Sequence, residues 1–101
     1  MEGTYTGSTD KYVDAMGSYI HYDVTLTLSG GSYQYAVSIT VSGNQKYNSG
    51  ENYDGSYTVN GDNISMTGKL ESAKAYDGAM IVTGHLSSFA GSSDSITVYH
   101  Q

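Results

Sequence analysis

Between Tyr19 and Ser42, apolar and polar residues alternate with a period of two on both sides of Gly30-Gly31. Such alternation marks strands with one buried face, and a Gly-Gly pair supplies the positive φ that a two-residue hairpin turn requires. Folded about that turn, Leu28 faces Tyr33, Leu26 faces Tyr35, Val24 faces Val37, Tyr22 faces Ile39 and Ile20 faces Val41. The other face sets Ser29 against Ser32, Thr27 against Gln34, Thr25 against Ala36, Asp23 against Ser38 and His21 against Thr40. A slip of one residue would turn the whole apolar set to water, so the register is well specified.

The same reasoning extends along the chain. Gly3 to Ser8 (GTYTGS) reads as a first strand with Tyr5 inward between two glycines, which mark a bend or a close backbone approach. In STDKYVDAMG, Asp10 can cap, Tyr12, Val13 and Met16 share a helical face, and Gly17 can terminate. This predicts one or two helical turns, with an irregular loop pinned by apolar side chains as the equal alternative. Gly43 to Asn52 reads as a polar connection.

A second hairpin follows, with two turns available. A turn on Asn60-Gly61 would set Val59 opposite Asp62 and mix core with surface. A turn on Gly61-Asp62 sets Val59 opposite Ile64, Tyr57 opposite Met66, Gly55 opposite Gly68 and Tyr53 opposite Leu70, with Asp54 across from Lys69 outside. The pattern selects the latter. Asp77-Gly78 is a hairpin signal, and using it demands a parity shift, hence a bulge, near Ser72. Met80 to Leu86 is a strand with Met80, Val82 and Leu86 inward, a set that Ile81 contradicts. Ser87 to Ser93 is a loop carrying Phe89, and Ser95 to His100 is the last strand, with Ile96 and Val98 inward.

These strands predict an all-β fold, an antiparallel meander closing into a small up-and-down barrel of seven or eight strands, as one domain over residues 1–101. A short helical turn follows the first strand. A closed antiparallel meander needs an even count. Either an eighth strand lies in 43–50 or 72–76, or the first and last strands meet in parallel.

The order GTYTGS, a variable insert, VTLTLSGGSYQYAVSITV and then GSYTVNGDNISMTG resembles small bacterial lipocalin-like (calycin-like) barrels over residues 3–70. Among these is the N-terminal barrel of copper-homeostasis outer-membrane lipoproteins. The resemblance implies an exported, often lipid-anchored barrel with a ligand or partner role. The copper-linked lipoproteins carry a Cys-x-x-Cys pair after the first strand, and STDKYVDAM has none. Metal handling by that route is not implied, and no functional residue carries over.

Composition narrows the partners. The 101 residues include no cysteine, so neither a disulfide nor a thiolate metal site is available. Ten acids against four lysines give a net charge of -6, which disfavours nucleic acid and anionic membrane surfaces. No apolar run reaches membrane-spanning length, and residues 1–20 lack the features of a signal peptide. That leaves a cytoplasmic protein or an exported one whose signal has been removed, and the Tyr/Ser/Gly/Asn-rich, lysine-poor style leans towards an extracytoplasmic one, periplasmic or secreted.

Catalytic chemistry is not legible. There is no Gly-x-Ser-x-Gly elbow, phosphate loop or dinucleotide fingerprint, and no buried acid/base pair, so neither an enzyme nor a cofactor is expected. His21 and Asp23 lie two apart on one strand face and could share a ligand, but a metal needs three or four such groups. A solvated strand face is the better reading.

The inward tyrosines Tyr5, Tyr22, Tyr33, Tyr35, Tyr53 and Tyr57 carry the functional question. A buried phenol needs a partner for its hydroxyl. One reading is a cavity or mouth taking a small apolar or aromatic ligand, with Lys11 to Gly17 as a lid. Its candidate residues are Tyr12, Met16, Tyr22, Tyr35, Tyr53 and Tyr57. The alternative is a filled core in an exported protein-binding or inhibitory module, which would present Tyr19, Tyr99 and Phe89 as an adaptable surface.

Overall fold

A computed structural model describes residues 2–14, 17–41, 44–88 and 92–101, with backbone alone for 44–48. Eight strands follow one another: β1 (Gly3–Val13), β2 (Ser18–Ser29), β3 (Ser32–Val41), β4 (Asn44–Asn60), β5 (Asn63–Met66), β6 (Leu70–Tyr76), β7 (Ala79–Gly84) and β8 (Asp94–His100). Each pairs antiparallel with the next, and β8 closes on β1 to complete a barrel in chain order. The all-β antiparallel barrel expected from the alternation is therefore the fold, with eight strands.

The central hairpin takes the register its pattern dictates, from Ser29 opposite Ser32 to Ile20 opposite Val41. Its apolar face supplies much of the core, Leu26 and Ile20 being fully buried beside Tyr22, Tyr33 and Tyr35. Closure depends on Gly7. A Cβ there would lie 2.3 Å from the Thr97 carbonyl oxygen and 3.1 Å from Val98 Cγ1, so only glycine lets β8 cross β1 this closely.

The eighth strand is β6, within which the register slips between Leu70 and Ser72. Leu70 and Ala73, three residues apart, are both buried, which is the parity shift that the Asp77-Gly78 turn demanded. Met80, Val82, Leu86, Ile96 and Val98 are buried as read, while Ile81 takes the opposite face and is half-buried.

Three expectations are corrected. The helical turns expected from Asp10 do not start there. β1 runs on to Val13, with Asp10 opposite His21 and Tyr12 opposite Tyr19. Ladder bonds to β2 outweigh a weak local helical pattern, which is the usual outcome for so short a segment. Gly17, at φ 62°, closes the connection by donating to the carbonyls of Val13 and Asp14. Next, the polar connection expected over Gly43 to Asn52 is strand from Asn44 onward, Gly43 lying outside the described residues. From Asn44 the chain is already in β4 and paired to β3, past an irregularity between Thr40 and Val41. Finally, the Gly61-Asp62 turn holds, with Val59 opposite Ile64 and Tyr57 opposite Met66, but β5 ends at Met66. Gly68 bends away at φ 81° beside the Tyr33 hydroxyl, so Gly55 and Asp54 acquire no strand partners in Gly68 and Lys69. Val59, next to the turn, is exposed rather than part of the core.

Candidate functional site

The inward row of β2, β3 and β4 meets the chain that leaves β7. Leu86 and Ser87 are both 1% exposed, so this segment turns into the barrel instead of over it. The Tyr22 and Ser87 hydroxyls lie 2.9 Å apart. Tyr35 donates to the Leu86 carbonyl at 2.7 Å. The Tyr53 ring stacks parallel on Tyr35, centroids 5.4 Å apart, and its hydroxyl donates to the Glu51 carboxylate. The other donors to Glu51 are the Ser88 N–H at 2.8 Å and the Ser88 hydroxyl.

Strand parity places Glu51 here. It stands opposite Val37, two residues from Tyr53, and so belongs to the inward row of β4. Burial works against its charge, but the hydrogen bonds from Ser88 and Tyr53 prevail and hold its pKa below the ordinary carboxylate value. The phenols of Tyr35 and Tyr53 are pushed the other way, chiefly by burial, and stay neutral. Among the described residues no buried side-chain nitrogen or oxygen lacks a partner.

Of the residues singled out in the sequence, Tyr22, Tyr35 and Tyr53 converge in this network. Tyr57 packs half-buried against the core, near enough to Tyr5 to add to the rise in its pKa that burial causes. Tyr12 does not join them. It lies on the outer face, 54% exposed, edge-on to Tyr19 at 5.2 Å. Val13 points the other way, into the core, because neighbouring residues of a strand face opposite sides. Met16 and Phe89 lie outside the described residues. Glu51, Ser87 and Ser88 were missed. The one signal for Glu51 was its parity with Tyr53, visible only once residues 44–52 are read as strand.

The outer face of β1 and β2 holds a second polar group. His21 Nδ1 lies 2.8 Å from Asp10 and its Nε2 lies 3.3 Å from Asp23, which also accepts the Ser8 hydroxyl at 2.7 Å. The bond to Asp10, helped by the charges of Asp23 and Asp10, raises the His21 pKa against the opposing effect of burial. Shallow grooves of about 450 and 390 Å³ run across the outer face of β2, β3 and β4, over Thr25, Ala36 and Asn52. Among the described residues no three His, Cys, Asp or Glu side chains are placed to hold a metal, and no helix is long and apolar enough to cross a membrane.

Compared with known proteins, the chain matches no family model, no curated protein and no solved structure. The closed eight-stranded antiparallel barrel is compatible with a small calycin-like barrel.

Proposed function

We propose that this is a non-catalytic, extracytoplasmic binding protein of lipocalin-like type whose barrel is filled and which recognises a protein partner with its outer surface. One observation carries this reading: four of the inward phenols are spent on the chain itself, Tyr22 on Ser87, Tyr35 on Leu86, Tyr33 on the Thr67 carbonyl and Tyr53 on Glu51. An interior built to orient a ligand keeps a few polar groups free to meet it. The outer surface supplies what recognition uses, exposed Tyr12, Tyr19, Tyr76 and Tyr99 among short polar side chains.

The half-exposed Tyr53 and Glu51 favour a second reading, a small partly apolar ligand taken at the mouth. Such a ligand has to displace the Leu86–Ser88 segment. Titration with an environment-sensitive apolar dye separates the two. The filled barrel leaves the dye free in solution, whereas saturable uptake, reversed by a small aromatic competitor and lost in Tyr53→Ala, establishes the mouth site instead.

A further inference from the structure

We infer that the free edge of β4, from Gly50 to Asp54, is a docking site for an extended basic segment of a partner protein, which adds to the sheet as a further strand. The inference rests on the protein-binding reading above and names its surface.

The lengths of the strands create the edge. β4 has 17 residues and β5 has four. β4 pairs with β3 from Asn44 to Ser56, but with β5 only from Tyr57 to Asn60. The Tyr57 N–H donates to the Gly31 carbonyl at 2.9 Å, which fixes the phase of the β3 ladder. In an antiparallel ladder alternate residues bond to the same neighbour. Gly55, Tyr53 and Glu51 therefore bond to β3, while the N–H and C=O groups of Asp54, Asn52 and Gly50 point to the opposite side. Ser56 marks the last contact there. Its N–H reaches Thr67 Oγ1 at 2.9 Å and its carbonyl accepts the Thr67 N–H at 3.1 Å. After Gly68 the chain leaves for β6, whose Leu70 pairs with Gly84 of β7. Among the described residues no backbone bond reaches Gly50, Asn52 or Asp54 from that side, and all three are exposed. The Asp54 carbonyl lies against Gly68, where an added Cβ would sit 3.3 Å from it, so the open template is the N–H and C=O groups of Gly50 and Asn52 with the N–H of Asp54.

Charge selects the occupant. Asp54 beside the edge has no ion pair among the described residues, where Lys11 is paired with Asp94. A groove of about 390 Å³ over Gln34, Ala36, Asn52 and Asp54 opens on the β3 side of the same strand. A second copy of this chain, at net charge -6, is repelled from the same edge.

Amide hydrogen exchange tests the proposal, with an acetylated octapeptide of alternating Lys and Val as probe and its Glu/Val counterpart as control. In the free protein the amides of Gly50, Asn52 and Asp54 exchange far faster than those of Tyr35 and Val37, and the Lys/Val peptide alone protects them. Asn52→Pro removes an edge donor without touching the β3 ladder, and Asp54→Lys reverses the charge while keeping the backbone. Each weakens the peptide about tenfold or more. Slow exchange at the three edge amides of the free protein overturns the proposal, because the edge is then already covered. So does fast exchange with no protection by the Lys/Val peptide, or equal protection by both peptides. Each of these three outcomes leaves the dye experiment, and with it the filled barrel, unaffected.

Discussion

The Tyr22 hydroxyl lies 2.9 Å from that of Ser87, joining the central hairpin to the chain beyond β7 across 65 residues of sequence. Tyr22 is 1% exposed, so Ser87→Ala leaves a buried phenol without this partner, at a cost of about 1–3 kcal/mol in urea unfolding. The double variant Ser87→Ala/Tyr22→Phe loses less than the sum of the two singles, the sign of a direct interaction. Additive losses would show that the two hydroxyls act independently.

The faces of the central hairpin make a sharper contrast. Leu26 is fully buried and Thr25, its neighbour, is exposed. Leu26→Ala costs about 2–5 kcal/mol and Thr25→Ala well under 1 kcal/mol, measured by chemical denaturation. Comparable losses at both sites would overturn the register.

Gly7 and Gly50 separate close approach from mere smallness. At Gly7 an added methyl meets the Thr97 carbonyl at 2.3 Å, whereas at Gly50 the nearest atom is 3.8 Å away. Gly7→Ala forces the β1–β8 closure apart and costs on the order of 1–3 kcal/mol or more. Gly50→Ala is close to neutral or slightly stabilising, since alanine restricts the unfolded chain. Thermal melts of the two variants decide the point.

Stability has an acid and an alkaline limb. Glu51 has a lowered pKa, so its contribution is complete above the unfolded value of about 4.3 and is lost as pH falls through the folded value. His21 has a raised pKa, so its contribution is complete below about 6.5 and is lost as pH rises through the folded value. Glu51→Gln flattens the acid limb of a melting-temperature profile and Asp10→Asn flattens the limb above pH 6.5, by less because His21 is largely exposed. Unchanged limbs in these variants would refute the assignments.

What could be read in the sequence was governed by where apolar side chains alternate. Ile20 to Val41 was legible to the residue because both faces keep their character over ten successive pairs. The slip near Ser72 was legible because a strong turn at Asp77-Gly78 and a strong strand from Met80 disagreed in parity, and only a bulge reconciles them. The start of β4 was not legible, because opposite the core residues Ile39 and Val37 it carries Ser49, which is exposed, and Glu51, which is charged. At Glu51 the interior is polar too, since it meets Ser88 rather than a hydrocarbon wall. The second half of β1 failed for a related reason. Thr9 and Lys11 stand opposite Tyr22 and Ile20, so the pattern that betrays a strand was carried by its partner alone.

The closing ladder also sets how the molecule bears load. Thr4 accepts the Gln101 N–H, and Tyr5 stands opposite His100 with its ring edge-on at 4.9 Å. Gly3 and Gln101 thus leave the barrel at one rim, side by side. Tension applied through them opens the seam one bond at a time, as a zip opens, instead of shearing a whole row at once. A pull through both of these residues therefore acts in the unzipping direction of the closing seam.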